Sequence, residues 1–361
     1  MSRNVLYTRK GLPWHGSFAT DVSDCVTAQE VMHKANLDFM VKKCELVACM
    51  PFTLHKDNVI SEADGDFVHD GNIYRECPNA YATYRTDLNI PLGLVKDKYE
   101  VVQNTEVFKF FDEAIGTDKA VWQTAGCYGY GHRVFISAKL PVETDVDGDA
   151  INNYLVFSTS HDGSISIDVM FTAVRMFCFN CLNHAKKSAD SHIRLRHTKS
   201  AKERLHRGAE VLRIACEYAE DAQTLYNSLY TAKMSESDVI LYLAKLGLDD
   251  GEFYTLTNLN GKKPLDNIYN LLNLDYSTMK DADISTRKAN VIRGMYDYYK
   301  NGIGQKQIEG TAWGAYNAVT GYFSNVANME GIKRFDSLLF GSANSKMSDA
   351  FNEALVIAEA V

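Results

Sequence analysis

The chain has 361 residues, of which 46% are hydrophobic and 23% charged, with 6 Pro against 23 Gly. This is ordinary globular composition, which excludes a disordered, collagen-like or low-complexity chain, and the length implies two domains or one large two-lobed unit. The formal net charge of −8 is unevenly spread: Ala185 to Arg213 holds nine Lys/Arg against Asp190, Glu203 and Glu210, a local +6 that leaves −14 elsewhere.

The first residues, Met1 to Arg9, are partly basic and lack the apolar core of a signal peptide. The most apolar stretch, Val169 to Leu182, is interrupted by Arg175 and falls short of the ~20 residues a spanning helix needs. A cytoplasmic protein with no membrane partner is expected. Its 8 Cys are then reduced thiols, with no disulfide framework in their spacing.

In chain order, strands are predicted over 80–86, 91–96 and 99–103, followed by a helix over 104–115. Val107, Phe108, Phe111 and Ile115 share one side of that helix, and Gly116 stops it. Strands 121–126 and 132–139 flank the loop Gly126 to Gly131. Pro141 to Asn152 is acidic and reads as an exposed connection. Strands 153–160 and 164–171 are joined by Asp162-Gly163, a strong hairpin signal. Ile165, Ile167, Val169 and Phe171 alternate with polar residues, as in a half-buried strand. Residues 172–189 read as helical.

Beyond residue 200 the pattern is helical. Ser200 to Glu203 is a capping-box pattern, followed by a stripe through Leu205, Ala209, Leu212, Cys216, Ala219 and Tyr226. Further helices are predicted from Ser235 to Gly247, Thr286 to Asn301 with Gly302 as the stop, Ala312 to Val326, and Met347 to Ala360. The expected fold is α+β. Residues 1–189 form a mixed domain with an antiparallel β-meander, and residues 190–361 a mainly α-helical region.

Five of the 10 His lie between 161 and 206, in the basic region: His161, His184, His192, His197 and His206. Cys178-x2-Cys181-x10-His192-x4-His197 approaches a zinc-finger spacing. Its middle segment is shorter than the ~12 residues of that motif, and its cysteines sit in an apolar run. Buried thiols and exposed histidines are the preferred reading, and no cofactor is expected. Gly126-x2-Gly129-x-Gly131 reverses the dinucleotide fingerprint and leads into a strand. Asp145, Asp147 and Asp149 lack the glycine position and closing Glu of a calcium loop. There is no P-loop and no serine nucleophile elbow. Arg175 and Asn180 lie inside an apolar run, where an unpaired polar group is costly. Either they meet internal partners, or they open onto the basic surface and grip a phosphate or a base edge.

Several motifs carry a family resemblance. They are Pro13-Trp14-His15-Gly16, Leu92-Gly93-Leu94-Val95-x3-Tyr99-x2-Val102-Gln103-Asn104, and Tyr154-x6-His161-Asp162-Gly163-Ser164. Thr172-x-Val174-Arg175-x2-Cys178-x-Asn180, Ile193-Arg194-x-Arg196-His197-Thr198 and Thr311-Ala312-Trp313-x2-Tyr316-Asn317-Ala318-Val319-Thr320 continue the set. Over nearly the whole chain this resembles a phage/plasmid-like family built on a domain of unknown function, found in phages, plasmids and bacterial genomes. The resemblance implies a mobile-element protein in a bacterial host cytoplasm and supplies no reaction. The family pattern often has Thr where this chain has Cys181, which weakens the zinc reading. The meander followed by a helix is also similar to the core of single-strand annealing recombinases. These hold DNA in a basic groove of a ring or filament, which implies a homo-oligomer.

The leading expectation is a binding protein rather than an enzyme, one that handles single-stranded DNA in recombination or replication. Lys186, Lys187, Arg194, Arg196, Lys199 and Arg204 would contact phosphates, with Arg175, Asn180, His192 and His197 beside them. Tyr128 and Tyr130 would stack on bases if exposed, simple turn packing being the competing reading. One alternative is a metal-dependent phosphodiester enzyme built on His161, Asp162, His184 and His197. Another is a host-defence inhibitor that binds a protein through its acidic surface.

Overall fold

The computed structural model describes residues 19–51, 67–115, 121–175, 178–180, 192–198, 201, 221–327, 333, 337–338 and 341–360. Two antiparallel sheets fill the N-terminal half and helices the C-terminal part, the expected α+β arrangement. Strand β1 (Ala19–Asp21) leads into α1 (Ala28–Lys34). Thr27 and Glu30 cap α1 reciprocally and satisfy its first free N–H groups.

The smaller sheet contains β2 (Val41–Pro51), β3 (Phe67–His69), β4 (Asn72–Arg85) and β5 (Ile90–Lys96). Both β3 and β5 pair with β4 on the side away from β2. The β2–β4 register breaks between Glu45 and Val47, where the pairing skips Cys77 to Ala80. Pro78, which has no N–H to give a ladder, lies in the skipped stretch. Beyond the break no residue of β2, β3 or β4 up to Asn79 is buried, so this half of the sheet is a ribbon in solvent.

Predicted strand 91–96 lies within β5, and predicted strand 80–86 is found in β4 up to Arg85. Residues 99–103 are not a strand. There the Gln103 side chain does the pairing: its amide donates to Val41 O at 2.7 Å and its oxygen accepts from Val41 N at 3.1 Å. Helix α2 (Asn104–Ile115) follows, as predicted.

The larger sheet orders β1, β6 (Val121–Tyr128), β7 (Arg133–Val146), β8 (Asp149–Ser160), β9 (Ile167–Arg175) and β10 (Cys178–Asn180). Strand β11 (His192–Leu195) also pairs with β9, so β10 and β11 share its outer edge. The predicted meander is present, with four corrections.

First, Pro141 to Asn152 is a hairpin end rather than an exposed connection. Thr144 and Val146 are buried while Glu143, Asp145 and Asp147 are exposed, the alternation of a one-faced strand. Asp147 and Gly148 close it with φ of 51° and 83°, the geometry of a two-residue I′ turn. Second, Asp162-Gly163 closes no two-residue hairpin. Residues 161–166 form a loop in which Asp162 Oδ1 accepts from Ser164 N at 2.8 Å. Ser160 Oγ there donates to Ile165 O and accepts from Ile165 N. Gly163 still sits at φ +74°, where a side chain is strained. Third, residues 172–175 continue β9 and 178–180 form β10, so no helix begins at 172; residues 181–189 lie outside the described residues. Fourth, strand β9 is buried on both faces from Ile167 to Thr172, not on one.

The C-terminal part holds α3 (221–231), α4 (Glu236–Gly247), α5 (Asp250–Thr257), α6 (Pro264–Leu272) and α7 (Tyr276–Asp281). It continues with α8 (Thr286–Asn301), α9 (Ala312–Gly321) and α10 (Ser342–Glu359). Helices α4 and α8 match their predicted spans, and Ser235 with Asp238 makes a capping box. Helix α9 runs on into a π turn over 322–326, and α10 starts earlier than predicted. The stripe from Leu205 to Ala219 lies outside the described residues; Tyr226, on α3, is fully buried.

Buried residues form one hydrophobic cluster that runs from the larger sheet into the helices. Helix α9 is buried along its whole length, as its apolar character on every side requires. Trp313 on α9 donates its indole N–H to Asp149 Oδ2 at 3.0 Å, joining the helices to the β7–β8 hairpin. Cys25, Cys44, Cys49, Cys77 and Cys127 are free thiols. No described helix is long and apolar enough to cross a membrane.

Candidate anion-binding cleft

Register brings charged residues together at one end of the larger sheet. Pairing of β11 with β9 sets Arg194 opposite Asp168. The Arg194 Nε–Asp168 Oδ1 distance is 2.8 Å, with Asp168 buried and Arg194 exposed. The chain then passes Arg196, His197 and Thr198 and meets Lys98 and Tyr99, which follow β5. These residues and Gly163 to Ser166 line a cleft of about 490 Å³. Lys98 and Arg196 are exposed at its rim, and neither has an anionic partner among the described residues. Arg194 is paired with Asp168, so these two are the rim cations without a direct ion pair among the described residues.

The floor of the cleft is aromatic and rigid. The Tyr99 ring stacks on the His197 ring at 4.6 Å and 23°. The Tyr99 hydroxyl donates to Ser160 O at 2.7 Å, and Glu100 N donates to His197 O at 3.1 Å. Burial pushes the Tyr99 pKa up and that of His197 down. Both therefore sit neutral beneath a cationic rim.

Tyr128 and Tyr130 are 43% and 57% exposed at the β6–β7 turn, so turn packing does not bury them. The turn is tied to the cleft: Arg133 Nε donates to Ser164 Oγ at 2.9 Å, and His161 N donates to His132 O at 2.8 Å. Arg85 reaches over from the smaller sheet and donates to Tyr130 O at 3.1 Å. Exposed tyrosines and exposed cations thus share one sheet end.

His161 faces the interior. Its Nε2 meets Asn104 Oδ1 at 3.0 Å, and Asn104 Nδ2 donates to Leu37 O at 2.9 Å. That network makes the Asn oxygen an acceptor and puts the imidazole proton on Nε2. Thr83 Oγ1 donates to the His161 carbonyl at 2.6 Å. Complete burial, with His197 nearby, pushes the His161 pKa down to about 3. An unfolded imidazole titrates near ~6.5. Between these values the unfolded chain holds more protons than the folded one, so stability rises with pH across that window. Acidification below about pH 6.5 should therefore destabilise the protein, and His161→Gln should flatten the dependence. Urea unfolding from pH 7.5 to 4.5 measures it; equal slopes in both proteins would show that His161 is not the group responsible.

Other residues expected at the site are dispersed. Arg175 and Asn180 lie toward the opposite end of β9 from Arg194, facing Cys178 and Ala173 in the register. His192 pairs with Met170, between the two ends. Lys186, Lys187, Lys199, Arg204 and His184 lie outside the described residues. Asp162 caps its own loop, and among the described residues no group of three or more His, Cys, Asp or Glu could hold a metal ion. Sequence reasoning missed Lys98, Tyr99 and Asp168. Of these, Asp168 had a visible signal, a lone carboxylate in an apolar strand, and Tyr99 stood within the motif from Leu92 to Asn104.

Residues 91–351 match the family model of a domain of unknown function, DUF932. No curated protein and no solved structure matches the chain.

Proposed function

We propose that this chain, which belongs to the DUF932 family, binds single-stranded nucleic acid, single-stranded DNA foremost. The observation that carries this reading is the pairing of exposed Lys98 and Arg196, without a direct ion pair among the described residues, with exposed Tyr128 and Tyr130 at one end of one sheet. Cations meet phosphates and release counterions, while tyrosine faces accept any base, so the combination suits a strand with splayed bases. A duplex would offer the tyrosines no free base faces. In this reading the protein is phage- or plasmid-borne, acts in recombination or replication in the bacterial cytoplasm, and works as a homo-oligomer along the strand.

Fluorescence anisotropy of a labelled oligothymidylate, titrated at several salt concentrations, tests it. Log K should fall linearly with log salt, by about 0.7 per phosphate neutralised. Lys98→Ala with Arg196→Ala should lower that slope by about 1.4 and weaken all sequences alike. Tyr128→Ala with Tyr130→Ala should weaken binding at unchanged slope. Absence of binding at low salt, or binding indifferent to both pairs, would overturn the reading and favour a protein partner.

A further inference from the structure

A second cavity lies in the helical half, far along the chain from the cleft. It encloses about 480 Å³ where the end of α4 meets α8, α9, the π turn and the start of α10. This falls within the ~300–1,000 Å³ of small-molecule sites. Its interior is apolar, formed by Leu246, Val291, Met295, Val319 and Phe323. Its mouth carries three cations, Arg287, Lys288 and Lys346, and one carboxylate, Asp249. Lys288 is committed to Asp249 and Glu252, and Lys346 donates to Leu246 O at 2.8 Å. Arg287 is exposed and has no anionic partner among the described residues.

The helix ends add to that field. Ser285, the N-cap of α8, and Ser342, the first residue of α10, both line the mouth. The positive ends of a 16-residue and an 18-residue helix therefore open onto the same rim as Arg287. An apolar chamber alone would take any hydrocarbon. One free guanidinium and two helix N-termini at its mouth select a molecule with a single anionic head, and a carboxylate matches the planar fork of Arg.

We infer that this cavity is a binding site for an amphiphilic carboxylate, an apolar chain or ring system bearing one carboxyl group, with the chain among Val291, Met295, Val319 and Phe323 and the carboxylate on Arg287. The inference is independent of the nucleic-acid reading, since the two sites share no residue.

Sodium decanoate below its micellar concentration is the probe, titrated by calorimetry into the full-length protein, with decanol and acetate as controls. Decanoate should bind saturably at one site. Acetate, lacking the chain, and decanol, lacking the charge, should each bind at least tenfold more weakly. From hexanoate to decanoate, affinity should rise about fourfold per methylene buried. Arg287→Gln, an exposed substitution that leaves the core intact, should weaken decanoate at least tenfold and leave decanol unchanged. Val291→Trp, at a half-buried position, should fill the chamber and abolish both. No saturable decanoate binding would overturn the inference. So would decanol binding as tightly as decanoate, or decanoate binding that survives both substitutions.

Discussion

Trp313→Ala is expected to cost about 3–5 kcal/mol, the range for removing a large aromatic from a close-packed core. Trp313 is fully buried. Its ring centroid lies 4.6 Å from that of Tyr226 and 5.7 Å from that of Tyr316, and both tyrosines meet Phe351 edge-on. Truncation would leave a cavity against the rings of Tyr226 on α3 and Tyr316 on α9, beside Phe351 on α10, and would remove the indole donor from buried Asp149. Whole-domain stability is typically ~5–15 kcal/mol, so this substitution takes a large share of it. Trp313→Phe keeps most of the ring and loses the donor, and should cost only about 1–3 kcal/mol. Urea unfolding of the two variants separates packing from hydrogen bonding. Equal losses would mean that the bond to Asp149, and not the packing of the ring, carries the cost.

Gly93→Ala is expected to destabilise by about 3 kcal/mol, although it adds one methyl group. A Cβ built on Gly93 would stand 2.5 Å from the Asp162 Cα and from the Asp162 carbonyl oxygen. Both are backbone atoms and have no rotamer to move into. Thr83, the β4 partner of Gly93, donates to the His161 carbonyl, so the smaller sheet grips the 161–166 loop at this point. Pushing the loop away would also displace Gly163 to Ser166, which line the cleft. The variant should therefore lose both stability and oligothymidylate affinity. A variant as stable as the parent would show that the sheet and the loop are not in this contact.

Both substitutions depend on contacts between residues far apart in sequence, and that is where the reading from sequence stopped. Helices α4 and α8 were legible to the residue because each has an apolar stripe bounded by Ser at one end and Gly at or just past the other. Strand β9 hid its end because the alternation of Ile165 to Phe171 gives way after Thr172 to a run with no clean period of two. The β7–β8 hairpin had the alternation, but its acidic outward positions looked like a solvated loop. Asp-Gly steps were informative about backbone sign and not about loop length. Asp70-Gly71 and Asp147-Gly148 each span a hairpin, whereas Asp162-Gly163 lies in a longer loop stitched by Ser160. Short α5, α6 and α7 are too brief to establish a period. At the site, Arg194 and Arg196 were visible as local charge. Lys98 joins them only because β5 delivers it there from nearly a hundred residues away, and Asp168 pairs with Arg194 only because of strand register.

The solvent-facing ribbon of β2, β3 and β4 bears on how such a protein diverges. Past the register break its residues bury almost nothing, with Val47, Met50, Phe67 and Val68 each more than a third exposed. Surface changes away from special backbone features usually shift stability by less than about 0.5 kcal/mol. Mutations in the ribbon therefore escape the purge that core substitutions face. Its side chains can drift or adapt at little thermodynamic cost, while the larger sheet and the aromatic knot around Trp313 stay constrained. Among the described residues, the ribbon is a part with evolutionary slack.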